Sequence, residues 1–204
     1  MDNLKAHWDT VWQTKAHDAT SWYQEVPVVS LQFLAKAHLK NTAPLIDIGS
    51  GASSLLDAWL SLEFRDLTAL DIAASAFMQS KQRLGVAAAR VIFVEANVLN
   101  WQPERRYQLW HDRAVFHFLT DADTRKQYIN TLTAALEPGG FFICGGFSTL
   151  GPQQCSGLAV QRYDADTMAQ VFDPWFEVLA SETETHITPA GSEQHFLWSF
   201  FRRR

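Results

Sequence analysis

Between residues 45 and 147, short apolar runs alternate with stretches in which apolar residues recur at helical spacing. The runs near 45–48, 67–71, 91–94, 107–111 and 141–146 are dense in aliphatic and aromatic residues, and they read as β-strands. Ahead of them the pattern predicts helices near 3–14, where Leu4, Trp8, Val11 and Trp12 share one face, and near 28–40. The stretch before the fifth strand opens at Asp121, a helix N-cap candidate, and stops before Pro138-Gly139-Gly140. A helix near 164–172 and strands near 175–186 and 193–202 follow. Thr188-Pro189-Ala190-Gly191 joins the last two as a hairpin, which makes the final strand antiparallel. Such alternation predicts an α/β fold, a mostly parallel sheet with helices on both faces.

Chemistry concentrates where the first strand ends. In Leu45-Ile46-Asp47-Ile48-Gly49-Ser50-Gly51-Ala52-Ser53-Ser54-Leu55 an apolar run passes an acid and two glycines and then starts a helix, with Ser53 or Ser54 placed to cap it. Glycines at 49 and 51 allow a tight turn and close approach of a ligand to the backbone. The dinucleotide fingerprint would want a third glycine, where Ser54 stands, and the carboxylate of Asp47 would repel a pyrophosphate. No Lys or Arg lies between Asp47 and Leu62, so a phosphate cradle is disfavoured. S-adenosylmethionine carries a sulfonium and an ammonium and no phosphate, and an acid beside a glycine turn suits it. Asp71, at the end of the second strand, is placed to accept from ribose hydroxyls, and Asn97, past the third, to accept from an adenine amino group.

Five segments in order, LIDIGSGASSL, TALDIAASA, VEANVLNW, YQLWHDRAVFHFL and LEPGGFFICGGF, resemble the motifs of the class I S-adenosylmethionine-dependent methyltransferases over residues 43–147. The sequence departs from the family where Asn97 replaces an Asp at the adenine position and Gln108 replaces the Asp that opens the fourth strand. The resemblance implies a doubly wound, Rossmann-like sheet of seven strands, mostly parallel with an antiparallel last strand. It implies a cofactor site built from Asp47, Gly49, Ser50, Gly51, Asp71, Ile72, Asn97, Val98, Asp112 and Trp22. The loop after the fourth strand would approach the transferred methyl group. His117 is there as the candidate general base, Arg113 as its catalytic neighbour, and Asp112 and Arg113 as a buried pair; His111 reads as structural.

Domain organisation follows as a single unit, 1–204. Residues 1–42 form a helical lid and substrate segment, 43–147 the cofactor core, and 148–204 the substrate-side loops and hairpin. Ligands bind outside the carboxyl ends of the strands, so residues 148–163 and 186–195 should face the site with the amino-terminal segment. Trp12, Tyr23, Arg162, Tyr163 and His186 are the substrate candidates, with Glu193 and Gln194 beside them, and Arg162 and Tyr163 suit an anionic or planar acceptor.

The formal charge of −5 adds one exclusion, since no basic excess exists to hold a nucleic acid, and Arg202-Arg203-Arg204 reads as a solvated tail. The first residues lack the apolar core of a signal peptide and no run reaches membrane-spanning length, so a cytoplasmic location is expected. Cys144 reads as core and Cys155 as a loop residue; neither has partners at metal-ligand spacing, and no metal is expected. The fourth strand lacks an Asn/Asp-Pro-Pro-Tyr/Phe exit and a Pro-Cys nucleophile, which disfavours planar-amine and pyrimidine-carbon acceptors. A small-molecule acceptor is preferred. A protein lysine is the alternative, and a noncatalytic adenosine-ligand binder or an NAD-dependent oxidoreductase would be the reading from another class.

Overall fold

The computed structural model of the chain describes residues 2–204, and at its centre is a sheet covered by helices on both sides. Helices α1 (Asp2–Thr14) and α2 (Val28–Lys36) precede β1 (Pro44–Ile48). Then come α3 (Leu55–Ser61), β2 (Asp66–Asp71), α4 (Ala74–Leu84), β3 (Val91–Glu95), β4 (Tyr107–Arg113), α5 (Ala122–Ala135) and β5 (Leu136–Phe147). A small hairpin, β6 (Gln154–Cys155) and β7 (Leu158–Ala159), leads to α6 (Ala165–Phe172), β8 (Phe176–Ile187) and β9 (Glu193–Arg203).

The large sheet has the order β3-β2-β1-β4-β5-β9-β8. Strands β1 to β5 pair in parallel, and β9 lies antiparallel between β5 and β8. The seven-stranded, mostly parallel sheet with an antiparallel last strand is therefore the one expected. Its order reverses between β1 and β4, so the connections leaving those strands diverge and open a crevice at their carboxyl ends.

Side-chain alternation along the strands divides the core in two. Leu45 and Leu109 join Phe33 of α2, Trp59 of α3 and Phe77 of α4 on one face. Ile46, Ile48 and Trp110 join Leu132 of α5 and Phe172 of α6 on the other. In β9 the pattern repeats, with Trp198 and Phe200 on the first face and Leu197 and Phe201 on the second. Burial on both sides explains why these strands are almost wholly apolar. It also fixes the direction of the acids: Asp47 shares a face with Leu45, whereas Asp112 shares one with Trp110.

Four local features depart from expectation. Helix α2 ends at Lys36, short of residue 40. Pro138-Gly139-Gly140 lies inside β5, where the register with β4 shifts between the pairs Tyr107↔Leu136 and Leu109↔Phe141. Residues 148–163 contain the β6–β7 hairpin, turning through Ser156 and Gly157, both at positive φ (49° and 78°), as a primed two-residue turn requires. The terminal arginines are no free tail. Arg202 pairs with Glu177 (2.7 Å), Arg203 donates to the Leu136 carbonyl, and Arg204 reaches Asp173 (3.4 Å). At the start of α3, of the two serines placed to cap it, Ser53 Oγ accepts from the Leu55 amide (3.1 Å), while Ser54 Oγ donates to the Gln24 carbonyl (2.7 Å). Among the described residues no helix is long and apolar enough to cross a membrane.

On the α5/α6 face, Phe172 is fully buried, with Phe116, Phe142, Phe201 and Phe176 at ring separations of 4.9, 5.1, 5.2 and 5.9 Å. Phe172→Ala should destabilise the fold by about 3–5 kcal/mol through lost burial and the cavity left behind. Urea denaturation measures this, and a loss under about 1 kcal/mol would mean that the cluster repacks.

Candidate active site

The crevice between β1 and β4 is a cavity floored by the turn after β1 and roofed by the amino-terminal segment. Gly49 and Gly51 take φ of +61° and +54°, and neither position has room for a side chain. A Cβ on Gly49 would meet Val115 Cγ2 at 2.1 Å, and one on Gly51 would meet the Trp12 ring at 2.6 Å. Asp71 holds this turn in place. Its Oδ2 accepts from the Gly51 amide and its Oδ1 from the Ala73 amide, both at 2.9 Å, and the Ser50 amide donates to the Leu70 carbonyl. Burial pushes the Asp71 carboxyl up to about 6, against the pull of the amides of Ala73 and Gly51, with the Asp47 charge adding to the rise.

Asp47 faces the α2 side and is buried there. Its Oδ1 lies 2.7 Å from His111 Nδ1, and His111 Nε2 lies 2.9 Å from Ser30 Oγ on α2. With the proton on Nδ1, the imidazole donates to Asp47 and accepts from the Ser30 hydroxyl. The three side chains line the cavity wall as one polar chain in an otherwise apolar core. His111, read from sequence as a structural residue, thus belongs to the site. Its partners sit 64 and 81 positions away, and no local signal announces them.

Gly49, Ser50, Ile72, Asn97 and Val98 also line the cavity. Asn97 Oδ1 already accepts from the Leu99 amide (3.0 Å), which leaves its second lone pair and its amide protons for a ligand. The roof is aromatic. Trp12 and Trp22 meet edge to face at 5.8 Å, Trp8 packs on Trp22 at 6.0 Å, and Tyr23 lines the cavity beside them. All three aromatics expected to face the site, Trp12, Trp22 and Tyr23, are in its lining.

The exit of β4 corrects several expectations. Asp112 and Arg113 are adjacent in a strand and point to opposite faces, so they form no pair. Asp112 turns away from the cavity toward α5, accepting from the Val115 and Phe116 amides (2.8 and 3.1 Å) and from the Tyr128 hydroxyl. It orders the loop and is absent from the cavity lining. Ala114, at φ +69°, turns the chain out of the strand. His117 is buried against Phe118 and Phe147, outside the lining; burial, and then the Arg113 charge, push its pKa down to about 3. A ring with so low a pKa, outside the cavity lining, is poorly placed for the base role expected of it.

The cations and aromatics of 148–163 are also turned elsewhere. Arg162 donates to the Thr149 and Gly151 carbonyls (2.8 and 3.0 Å), bracing its own loop, and Tyr163 stacks beneath Phe116 at 5.9 Å. Neither lines the cavity. His186 Nε2 bonds the Ser21 carbonyl (2.9 Å) and lines a separate surface groove with Tyr23 and Glu25. Gln194 and Cys155 do reach the cavity, whereas Glu193 is exposed beside His195. Burial raises the Cys155 thiol to about 11, which keeps it protonated at neutral pH. No cluster of potential metal ligands occurs among the described residues.

A doubly wound sheet of this order, with a glycine turn and an acid at the ends of its first two strands, defines a class I methyltransferase-type domain. Residues 46–142 match the family described as a methyltransferase domain. That match covers 97 of the 204 residues, and the solved structures of similar fold are S-adenosylmethionine-dependent methyltransferases. It disfavours the NAD-dependent reading. Among solved structures, the fold is similar to a S-adenosylmethionine-dependent methyltransferase from Anabaena variabilis (TM-score 0.75, 18% identity, covering 100% of this chain and 94% of that one). It is also similar to the 1,6-didemethyltoxoflavin-N1-methyltransferase of Burkholderia thailandensis (0.71, 21%, 99% and 85%). A third is the N-methyltransferase NodS of Bradyrhizobium japonicum (0.71, 14%, 97% and 98%). No curated protein matches the sequence.

The Asp112 carboxyl yields a test of this geometry. Burial raises it from 3.8 to about 6, so below 3.8 the folded and unfolded chains both keep the proton. Between these values the unfolded chain releases it first, and the wild type loses stability until the folded pKa is passed. Asp112→Asn should therefore gain about 2–3 kcal/mol relative to wild type between pH 4 and 7, read from urea midpoints. A difference that does not vary with pH would contradict this placement.

Proposed function

We propose that the chain transfers a methyl group to a small-molecule acceptor in the cavity roofed by Trp12, Trp22 and Tyr23. The observation that carries the reading is enclosure. The lining joins the glycine turn and Asp71 to an aromatic lid donated by the amino-terminal segment, so an acceptor must fit beneath it. The similar structure of the 1,6-didemethyltoxoflavin-N1-methyltransferase, which holds that compound, agrees with a small acceptor.

S-adenosylmethionine supplies a methyl carbon activated by a positively charged sulfur. The residues fit such a group: Gly49, Ser50 and Gly51 bring the turn to the cavity wall, Asp71 keeps free lone pairs for ribose hydroxyls, and Ser50 Oγ is buried without a partner. Asn97 and Val98 would flank the adenine and Ile72 the ribose; all three line the cavity. Asp47, held by His111, presents negative charge to the cationic end. The tryptophans exclude water, and positioning with desolvation supplies most of the acceleration. An acceptor atom that bears no proton, or a neutral amine whose proton passes to solvent after the transfer, needs no protein base, in keeping with the placement of His117 outside the cavity. A protein lysine would have to pass the aromatic lid, which makes it the weaker reading.

Two measurements test this. Calorimetry should show S-adenosylhomocysteine binding weakened about tenfold or more in Asp71→Asn, equivalent to at least ~1.4 kcal/mol, with the fold retained. Labelled donor incubated with a size-fractionated cell extract should pass label to small molecules. Label found only in the protein fraction would overturn the small-acceptor reading.

A further inference from the structure

The sequence placed the cation for an anionic acceptor at Arg162, but that side chain lies outside the cavity lining, its Nη1 donating to two carbonyls of its own loop. Arg113 is different. It lines the cavity, donates through Nη1 to the Trp22 carbonyl (2.6 Å), and lays its guanidinium over the Phe196 ring at 5.2 Å. Its Nε and Nη2 are buried and bond to nothing. No carboxylate lies within ion-pair distance of Arg113 among the described residues. The nearby acids are engaged: Asp47 with His111, and Glu184 through Oε1 with Gln24 and through Oε2 with Trp198. Burial lowers the Arg113 pKa to about 10, so the charge persists at neutral pH.

A sealed guanidinium with two unmatched N–H groups is an unfavourable arrangement unless an anion completes it. Nε and Nη2 lie on one edge of the fork, the edge that grips a carboxylate through two parallel hydrogen bonds. The groups around this guanidinium come from the segments that flank the cofactor core. Trp22 belongs to the amino-terminal connection, Cys155 to the β6–β7 hairpin, and Phe196 to β9. None of them falls within residues 46–142. Because Nη1 is tied to the Trp22 carbonyl, movement of the lid segment would bare the guanidinium to an arriving acceptor.

We propose that Arg113 is the receptor for a carboxylate of the methyl acceptor, so that the substrates of this chain are small carboxylic acids held by that group while another atom is methylated. The inference rests on the methyl-transfer reading and names its substrate class.

The test uses the full chain saturated with S-adenosylhomocysteine and a panel of small aromatic and aliphatic carboxylic acids, each paired with its primary amide. Melting temperature is the readout. At least one acid should raise Tm more than its amide does; that difference should vanish in Arg113→Gln and persist in part in Arg113→Lys, which keeps the charge. Affinity for S-adenosylhomocysteine should stay within threefold of wild type in Arg113→Gln. Acids no better than amides on the wild type would overturn the proposal, as would a difference that survives in Arg113→Gln. So would a loss of more than tenfold for S-adenosylhomocysteine with none for 5′-methylthioadenosine, which lacks the amino-acid part, since that assigns Arg113 to the donor's carboxylate. A wild-type chain that binds no S-adenosylhomocysteine would overturn the methyl-transfer reading itself and this inference with it, a result distinct from the others.

Discussion

The hydrogen bond from the Gly51 amide to Asp71 fastens the turn after β1 to the end of β2, and the rest of the site is arranged around that contact. A backbone at positive φ, with no Cβ on either glycine, can follow that path; Val115 then fills the space beside Gly49 and Trp12 the space beside Gly51. The same turn therefore seats the exit of β4 and the amino-terminal helix. A methyl group added at either glycine would displace the floor or the roof of the cavity. The acid that holds the turn is also the one with lone pairs to spare for a ribose, so in the proposed function holding the loop and binding the ligand would converge on one carboxylate.

Strand alternation distributes the polar groups around this centre. On the α2 face, Asp47, His111 and Ser30 form a buried chain that links the first strand, the fourth strand and the helix before them. On the opposite face, Asp112 binds the amides of its own loop and the Tyr128 hydroxyl. Each group satisfies its neighbours, which is what burial of polar atoms demands. Arg113 lacks such partners at Nε and Nη2, and an unmatched cation beside a cavity says more about a ligand than any of the satisfied groups.

Sequence patterns exposed what is local. The strands, the glycine turn and the acids closing β1 and β2 follow from short apolar runs and from residues a few positions apart, and so does the hairpin that makes β9 antiparallel. Three things escaped the sequence pattern. His111 gains its role from Asp47 and Ser30, far away in the chain. Arg113 and Asp112, neighbours in sequence, separate because a strand sends adjacent side chains to opposite faces. Arg162 looked free because its partners are backbone carbonyls, which every residue has and no sequence distinguishes. The amino-terminal roof was accessible in part, since Trp12, Trp22 and Tyr23 are large aromatics in the segment that topology brings to the rim.

The central claim is that the turn at Gly49–Gly51 and the carboxylate of Asp71 hold the adenosyl part of the methyl donor. A crystal structure of the full chain with S-adenosylhomocysteine tests it most directly. The account predicts the ribose hydroxyls within hydrogen-bond distance of Asp71, the adenine beside Asn97 and Val98, and Trp12 and Trp22 closed over the ligand. A ligand whose ribose lies away from Asp71, with the glycine turn untouched, would contradict it.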